Sequence, residues 1–247
     1  MQKLIPTWRA PKNIHCFTTL RHGGVSRGAF YSFNLGAHVN DDENDVKTNR
    51  TLLVNRFHLP QFPLFLTQTH STNVLELPYH GKQPVADAVY TRRPNQVCLI
   101  MTADCLPVLF TNKEGSEVAA AHAGWRGLCD GILEETVRCF QCAPEEIIAW
   151  LGPAIGPNAF QVGKEVVEQF VAADCQAESA FRPDPKQVDK YLGNLYQLAA
   201  QRLNHLGVVE IFGGEHCTFS ESDKFFSYRR DGVTGRMATL IWFTELP

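Results

Sequence analysis

Short apolar runs, each bounded by turn-forming residues, recur along the chain and limit it to folds that contain several β-strands. Each run is too short for a typical helix and matches the length of a strand. The sequence therefore predicts strands over residues 14–19, 62–67, 73–77, 97–101, 107–111, 117–122, 147–151, 208–213 and 238–243.

Helical segments alternate with only some of these runs. Apolar residues recur at helical spacing over residues 45–57, 128–140, 165–173 and 191–206. Gly207 follows the last segment, at the position where a glycine commonly ends a helix. Because several strands follow one another without an intervening helix, we predict an α+β fold in which mixed β-sheets pack against helices.

The whole chain, residues 1–247, is expected to form a single domain. The best linker candidate, residues 176–187 with Pro183 and Pro185, is too short to separate two domains. No internal repeat or low-complexity tract interrupts the pattern. We expect the domain to be a monomer.

The charge and hydropathy of the chain argue against two classes of partner. With a net charge of -3, it lacks the basic character of a nucleic-acid-binding protein. No apolar run approaches the roughly 18 to 20 residues that span a bilayer, and the N-terminal residues do not resemble a secretory signal. We therefore expect a cytoplasmic protein without nucleic acid or membrane partners, in which the eight cysteines are reduced thiols.

His70, Cys105 and His122 form the most specific candidate site in the sequence. Each lies at or just after the end of a predicted strand, where functional groups commonly lie. Two imidazoles and one thiolate suit Zn²⁺, and three protein ligands leave a fourth coordination position open. The spacing is too long for a compact zinc finger, so the fold must assemble the site.

A metal-free interpretation uses the same side chains. Cys105 would be the nucleophile and His70 or His122 its base, as in cysteine hydrolases, with Asp104 orienting the histidine. This arrangement leaves one histidine without a role, whereas zinc uses all three side chains. Asp104 is a candidate catalytic acid or base, and the alternative is a turn residue that caps the adjacent backbone.

The number of histidines argues against a multicopper centre. Such an oxidase needs about ten histidines, commonly in His-x-His pairs. The chain has nine, and none of them forms such a pair. Laccase activity is therefore not expected.

Arginines are the strongest candidates for binding an anionic substrate, because a guanidinium group matches a phosphate through two parallel hydrogen bonds. Arg21 opens a glycine-containing turn, and Arg126 lies shortly after His122. Ser32 and Asn34 would add neutral hydrogen bonds, or would form a local Asx-type turn instead. We predict that these four residues bind substrate.

The presence or absence of other motifs limits the classes of ligand and reaction that the sequence supports. Arg229 and Arg230, next to Asp231, fit a solvated ion cluster as well as an anion site. No Gly-x-Gly-x-x-Gly or Walker A motif is present, which argues against dinucleotides and NTP hydrolysis. The base-deaminase motif, His-x-Glu followed by Pro-Cys-x-x-Cys, is also absent, so any deamination needs a differently built zinc site.

The sequence around the three candidate ligands resembles one known family. The segments that carry the resemblance are Gln68-Thr69-His70, Thr102-Ala103-Asp104-Cys105, Ala121-His122-Ala123-Gly124-Trp125-Arg126-Gly127, Leu151-Gly152-Pro153-Ala154-Ile155-Gly156-Pro157 and Phe225-Phe226-Ser227-Tyr228-Arg229-Arg230-Asp231. Together they resemble the YfiH family, once called laccase-like or multicopper polyphenol oxidase and now described as purine nucleoside phosphorylases. Its bacterial members are also called peptidoglycan editing factor. The three ligand positions do not depart from the family pattern.

The resemblance implies helices packed around mixed β-sheets and a zinc-dependent enzyme. It implies phosphorolysis of adenosine, inosine, guanosine and methylthioadenosine, with accompanying adenosine deaminase activity. The small-molecule partners would be a purine nucleoside and phosphate. Two alternatives stay open: a metal-free cysteine hydrolase that acts on an aberrant cell-wall precursor, and a non-catalytic protein that binds nucleosides.

Overall fold

The computed structural model describes residues 2–82 and 84–245, and strands are the main elements of these ranges. In chain order the strands are β1 (Lys3–Leu4), β2 (Ile14–Thr19), β3 (Val74–Glu76), β4 (Ala88–Thr91), β5 (Cys98–Thr102), β6 (Leu106–Asn112), β7 (Val118–Ala123), β8 (Ile147–Leu151), β9 (Gln161–Gly163), β10 (Phe181–Pro183), β11 (Lys190–Gly193), β12 (Glu210–Gly213) and β13 (Met237–Phe243). The α-helices are α1 (Glu43–Phe57), α2 (Trp125–Asp130), α3 (Ile132–Arg138), α4 (Lys164–Ala173), α5 (Leu195–His205) and α6 (Tyr228–Asp231). Short 3-10 segments cover Gly28–Phe30, Pro144–Glu146 and Cys175–Ala180.

The described strands form three sheets. The largest has the order β12-β8-β6-β7-β4-β3, with a parallel pair at each edge and antiparallel pairs between them. The second sheet, β1-β2-β13-β5, is antiparallel throughout. The third is a small antiparallel sheet, β10-β11-β9. This arrangement confirms the predicted α+β fold with mixed sheets.

The two larger sheets pack face to face. Ile100 of β5 and Ile241 of β13 meet Leu109 and Trp150 of the largest sheet in one buried cluster. Successive side chains of a strand point to opposite faces, so the neighbours of these residues are buried on the other side. Burial on both faces explains why β5, β6, β7 and β13 are mostly apolar along their whole length rather than alternating apolar and polar.

Helices cover the outer faces of this pair of sheets. Leu53 of α1 packs in a cluster with Phe17 and Leu240 of the second sheet. On the far side, Leu133 of α3 and Leu203 of α5 belong to the cluster that covers the largest sheet. The layers are therefore a helix, the antiparallel sheet, the mixed sheet and a second set of helices.

The predicted strands are confirmed with one exception. Residues 62–67 are irregular apart from a bridge between Thr67 and Val85. Pro63 lies inside this run, and a proline cannot donate to a strand ladder. Leu66 of this run is nevertheless buried between the two larger sheets, whereas Phe62 at its start is exposed.

Two predicted helices differ in extent. Gly131, at a φ of 104°, divides the segment 128–140 into α2 and α3. The predicted helix 191–206 begins only at Leu195, because β11 occupies residues 190–193 and the Asn194 side chain caps the helix. Gly207 ends it at a φ of 93°, as predicted. None of the helices in the described ranges has the length and apolar character needed to cross a bilayer.

One connection between the sheets is important for the site. β5 belongs to the second sheet and β6 to the largest, so residues 103–105 cross from one to the other. β7 pairs with β6 and ends at Ala123, which lies opposite Leu106 at the start of β6. The end of β7 and the crossing segment are therefore held side by side.

Candidate metal centre

His70, Cys105 and His122 converge in space although they come from separate parts of the chain. One donor atom from each lies within 4.8 Å of the others. The Cys105 Sγ atom is 3.8 Å from His70 Nε2, and the centroids of the two imidazole rings are 4.9 Å apart. The fold thus brings together the three predicted metal ligands.

The donor set of this cluster fits zinc. Two imidazole nitrogens and one thiolate, with a fourth position left for water or substrate, are typical of a catalytic zinc site. His122 is buried, whereas Cys105 is partly exposed and His70 is exposed. All three side chains line a cavity of about 540 Å³. The cluster therefore has the composition and the access of an open metal site.

A buried carboxylate, that of Asp87, holds two of the three ligands. Its Oδ1 atom accepts a hydrogen bond of 2.8 Å from Nδ1 of His122. Oδ1 also accepts from the His70 backbone N–H, and Oδ2 accepts from the backbone N–H groups of Thr69 and Ser71 and from the Ser71 hydroxyl. These bonds fix the turn in which His70 adopts a left-handed φ of 62°.

The contacts within the cluster shift the pKa values of Asp87, Cys105 and His122. Burial raises the pKa of Asp87, but the hydrogen bonds and charge of its partners outweigh burial and hold that pKa below its usual range. Burial likewise raises the pKa of the Cys105 thiol, but the imidazoles of His122 and His70 lower it overall. Burial lowers the pKa of His122, whereas Cys105 and Asp87 raise it overall. The cluster therefore favours the thiolate of Cys105, which is the form that binds a metal.

Gly124 leaves the space that two ligands occupy. A Cβ atom at this position would lie 2.6 Å from Cδ2 of His70 and 3.1 Å from Sγ of Cys105. The φ of Gly124 is −61°, which any residue adopts, so the contact rather than the backbone conformation requires glycine. The absence of a side chain at Gly124 therefore allows the start of α2 to approach the cluster.

Gly124→Ala is expected to weaken zinc binding by about 10- to 100-fold, because the new methyl group displaces the His70 ring from the cluster. The affinity is measured by competition with a chromogenic chelator. Alanine suits this backbone conformation, so the thermal midpoint of the metal-free variant should stay within a few degrees of the wild-type value. An unchanged zinc affinity would show that His70 is not a ligand.

Asp104 lies beside Cys105, but its carboxylate contacts the C-terminal part of the chain. Its Oδ1 atom accepts a hydrogen bond of 2.6 Å from the Thr218 hydroxyl. Its Oδ2 atom accepts hydrogen bonds from the Ser227 hydroxyl and from the Arg229 backbone N–H, at 3.0 and 2.6 Å. Asp104 therefore fixes the start of α6 next to the segment that carries Cys105.

These contacts correct the orienting role predicted for Asp104. The carboxylate that contacts His122 is that of Asp87, which directly precedes β4 and so lies beside the end of β7. Asp104 lines the cavity, but three donors already bind its two oxygens. The alternative of a turn residue that caps the adjacent backbone does not describe these contacts either, because all three donors lie more than a hundred residues along the chain. The role of Asp104 as a catalytic acid or base stays a prediction.

Arginine side chains line the same cavity. Arg126 lies near the start of α2, and its guanidinium carbon is 4.4 Å from the centre of the Trp125 ring. Arg229 lies on α6 and donates a hydrogen bond to the Gln161 carbonyl, and Arg236 directly precedes β13. The cavity thus combines the candidate metal ligands with positively charged side chains.

Polar and apolar groups complete the cavity. Gln68 forms two hydrogen bonds of 2.8 Å with the backbone of Met101, which fix the loop before His70 against β5. His38 also lines the cavity, and burial together with the charges of Arg236 and Arg50 lowers its pKa. The apolar and aromatic lining residues are Met101, Ala103, Trp125, Ile155, Phe160, Leu195 and Tyr228.

The structure places the other predicted substrate contacts elsewhere. Among the described residues, those that line the cavity do not include Arg21, Ser32 or Asn34. Arg21 donates a hydrogen bond to the Ser222 carbonyl, and the Ser32 hydroxyl accepts from the glycine turn that Arg21 opens. Asn34 accepts from the N–H group two residues further on, in the Asx-type turn that was the alternative. Their hydrogen bonds indicate structural roles.

Several residues of this site were not predicted. Asp87 is the most important, and its signal is a charged residue enclosed by the apolar residues of 85–90. Arg229 is distinguished from its neighbour only by the fold, since Arg230 pairs with Asp231 while Arg229 reaches the cavity. Arg236 was not predicted as a substrate contact, and the fold brings it to the cavity from its position before the last strand.

Comparisons with known proteins identify relatives over nearly the whole chain. A family model described as multi-copper polyphenol oxidoreductase laccase matches residues 15–244. A Haemophilus influenzae protein named purine nucleoside phosphorylase is 67% identical over 243 residues, which cover 98% of this chain and 100% of the relative. An Escherichia coli protein named purine nucleoside phosphorylase YfiH is 55% identical over 246 residues, covering 98% and 99% of the two chains.

Solved structures share the fold. A Neisseria meningitidis protein superimposes with a TM-score of 0.93 at 45% identity, and the match covers 98% of this chain and 99% of that one. YlmD from Geobacillus stearothermophilus superimposes with a TM-score of 0.84 at 31% identity, covering 95% and 93% of the two chains. The similarity therefore extends over nearly the whole chain.

Proposed function

The chain belongs to the YfiH family, whose model is described as multi-copper polyphenol oxidoreductase laccase, and we propose that it is a zinc-dependent purine nucleoside phosphorylase. The names of its relatives support enzymatic activity. The observation that carries the proposal is the cluster of His70, Cys105 and His122 in a cavity that is also lined by arginines.

Zinc is proposed because of the donor set. His70, Cys105 and His122 would hold the ion, and nine histidines are too few for a multicopper centre. When bound, zinc supplies a Lewis-acid site that polarises an oxygen atom of water or substrate. The protein contributes the orientation of the ligands, through Asp87 and the space at Gly124.

The arginines would bind phosphate. Arg126, Arg229 and Arg236 line one cavity, and guanidinium groups bind phosphate oxygens through paired, charge-assisted hydrogen bonds. In phosphorolysis a phosphate oxygen forms a bond to ribose C1′ while the bond from C1′ to the purine nitrogen breaks, and the purine leaves with the electron pair. Positioning phosphate against C1′ removes much of the entropic cost of this reaction.

The aromatic residues would bind the nucleoside. Trp125, Phe160 and Tyr228 line the cavity and offer faces on which a purine ring can stack. The volume of about 540 Å³ lies within the range typical of small-molecule sites. The cavity is therefore large enough for a nucleoside together with phosphate.

The substrate range follows the family resemblance. We propose adenosine, inosine, guanosine and methylthioadenosine as substrates, with accompanying deamination of adenosine. Chromatographic product analysis separates the two reactions, because phosphorolysis of adenosine releases adenine whereas deamination yields inosine. Inosine is the best first substrate, since it cannot undergo the deamination.

The direct test is phosphate-dependent release of hypoxanthine from inosine. The proposal expects hypoxanthine and ribose 1-phosphate in equal amounts, and no release when phosphate is omitted. A protein that binds inosine without turnover would be a nucleoside-binding protein instead. Release without phosphate would indicate hydrolysis.

Arg126→Gln is expected to raise the KM for phosphate by about 10- to 100-fold, because it removes charge-assisted hydrogen bonds of a few kcal/mol. The KM for inosine should change much less. Arg138→Gln is the control, since Arg138 is an exposed arginine that pairs with Glu135 on α3. Equal phosphate KM values for both variants and the wild type would contradict the role of Arg126.

One observation favours a second candidate function, a metal-free cysteine hydrolase. Cys105 adjoins His122, and His122 is oriented by Asp87, which together give the nucleophile, base and carboxylate of such an enzyme. An aberrant cell-wall precursor is the proposed substrate of this alternative. Its activity would survive chelators and would be abolished by thiol alkylation.

A further inference from the structure

We propose that Asp87 is the positioning residue of the metal centre: it sets the tautomer of His122, fixes the turn of His70, and thereby determines the affinity for zinc. The inference rests on the proposed function only in taking zinc as the bound ion. It does not depend on which substrate is turned over.

The tautomer follows from hydrogen-bond chemistry. An ionised carboxylate can only accept a hydrogen bond, so Nδ1 of His122 carries the proton in its 2.8 Å contact with Asp87. In the neutral imidazole that binds a metal, Nε2 is then the nitrogen with the free lone pair. The main chain reinforces this contact, since the His122 N–H group donates to the Asp87 carbonyl at 2.7 Å. Asp87 thus fixes both the ring and the backbone of His122.

The same carboxylate fixes the second histidine. The N–H groups of Thr69, His70 and Ser71 all donate to it, at 3.1, 3.0 and 2.6 Å, and the Ser71 hydroxyl donates at 2.8 Å. Three consecutive amides that converge on one side chain hold His70 at a φ of 62°, in a region that non-glycine residues seldom adopt. Without these bonds, the turn loses the interactions that oppose its return to a commoner conformation.

Burial and charge both increase the importance of Asp87. Its side chain is fully buried, so water does not replace a lost hydrogen bond. With zinc bound, the carboxylate of Asp87 and the thiolate of Cys105 would contribute one negative charge each, which together match the charge of a divalent cation. Carboxylates that bind the second nitrogen of a ligand histidine typically change metal affinity by about 10- to 100-fold.

A matched control exists on the same sheet. Glu117 is a buried carboxylate that accepts hydrogen bonds from the Tyr90 hydroxyl, the Asn112 amide and the Gln141 backbone N–H. It precedes β7, whereas His122 lies near the end of that strand, and it contacts none of the three ligands in the described hydrogen bonds. Glu117→Gln and Asp87→Asn therefore both neutralise a buried carboxylate, but only Asp87→Asn acts on the metal ligands.

Zinc affinity is measured for the wild type, Asp87→Asn and Glu117→Gln by competition with a chromogenic chelator, and thermal midpoints are recorded in parallel. The asparagine amide nitrogen cannot accept a hydrogen bond, so part of the donor set loses its partner. We expect zinc to bind Asp87→Asn about 10- to 100-fold more weakly and Glu117→Gln with wild-type affinity. Wild-type affinity in Asp87→Asn, or an equal loss in both variants, would overturn the inference.

A second measurement uses the wild-type protein and so does not require the variant to fold. Long-range ¹H–¹⁵N spectra of the zinc-loaded protein report which ring nitrogen of His122 carries the proton. The inference expects the proton on Nδ1. A proton on Nε2 of zinc-loaded His122 would contradict it.

The outcomes separate this inference from the proposed function. If the wild type binds zinc through Asp87-dependent ligands but does not release hypoxanthine, the inference stands and the proposed reaction fails. If Asp87→Asn retains wild-type zinc affinity and phosphorolysis, the inference fails and the proposed reaction stands.

Discussion

Cys105→Ala is expected to abolish zinc binding and phosphorolysis together. The substitution removes the thiolate, one of three protein ligands in a cluster whose donor atoms lie within 4.8 Å of one another. We expect the zinc affinity to fall by about 1,000-fold or more, since each ligand contributes several kcal/mol to binding. The rate of hypoxanthine release should fall by a similar factor. Elemental mass spectrometry and the inosine assay measure the two effects on the same sample.

Cys142→Ala is the control for this prediction. Like Cys105, Cys142 is a free and partly exposed thiol, but it packs at the edge of the core cluster around the largest sheet. We expect wild-type zinc content and activity from Cys142→Ala. A Cys105→Ala protein that keeps its zinc would contradict the assignment of Cys105 as a ligand.

His70→Ala is expected to lose zinc and activity to a similar extent, about 1,000-fold. The reason is specific to the zinc interpretation, in which all three side chains are needed. A thiol mechanism would use His122 as base and Asp87 as its partner, and would leave His70 without an essential role. His70→Ala therefore separates two mechanisms that Cys105→Ala abolishes alike.

An exposed histidine far along the chain provides the comparison for His70→Ala. His205, at the end of α5, pairs with Asp174, so His205→Ala removes an imidazole without touching the cluster. We expect wild-type zinc content and hypoxanthine release from this variant. Sustained turnover by metal-free His70→Ala would favour the cysteine hydrolase.

The sequence predicted the strands that are buried on both faces, because their apolar runs are continuous. It did not predict β1, β4, β9, β10 or β11, which are only two to four residues long and are defined by their pairing with other strands. The break at Gly131 was also not predicted, although the helical segment around it was. The left-handed φ of Gly131 divides a segment whose apolar spacing continues across the break, and spacing alone does not reveal that interruption.

The candidate ligands were predictable, whereas the groups that support them were not. His70, Cys105 and His122 lie in distinctive segments at strand ends, and their chemistry is visible in the residue types. Asp87 contacts them because β4 pairs with β7, which is a long-range property of the sheet. Asp104, adjacent to Cys105 in sequence, instead binds donors from a segment more than a hundred residues away. Adjacency in sequence therefore suggested the wrong orienting carboxylate.

The most direct test of the central claim is removal and return of the metal in the wild-type protein. Metal content and phosphate-dependent hypoxanthine release are measured before chelation, after chelation and after addition of Zn²⁺ alone. The zinc-centred account predicts about one zinc ion per chain, loss of activity with the metal, and recovery on adding zinc. Undiminished turnover by the metal-free wild type would contradict it and would make Cys105 the nucleophile.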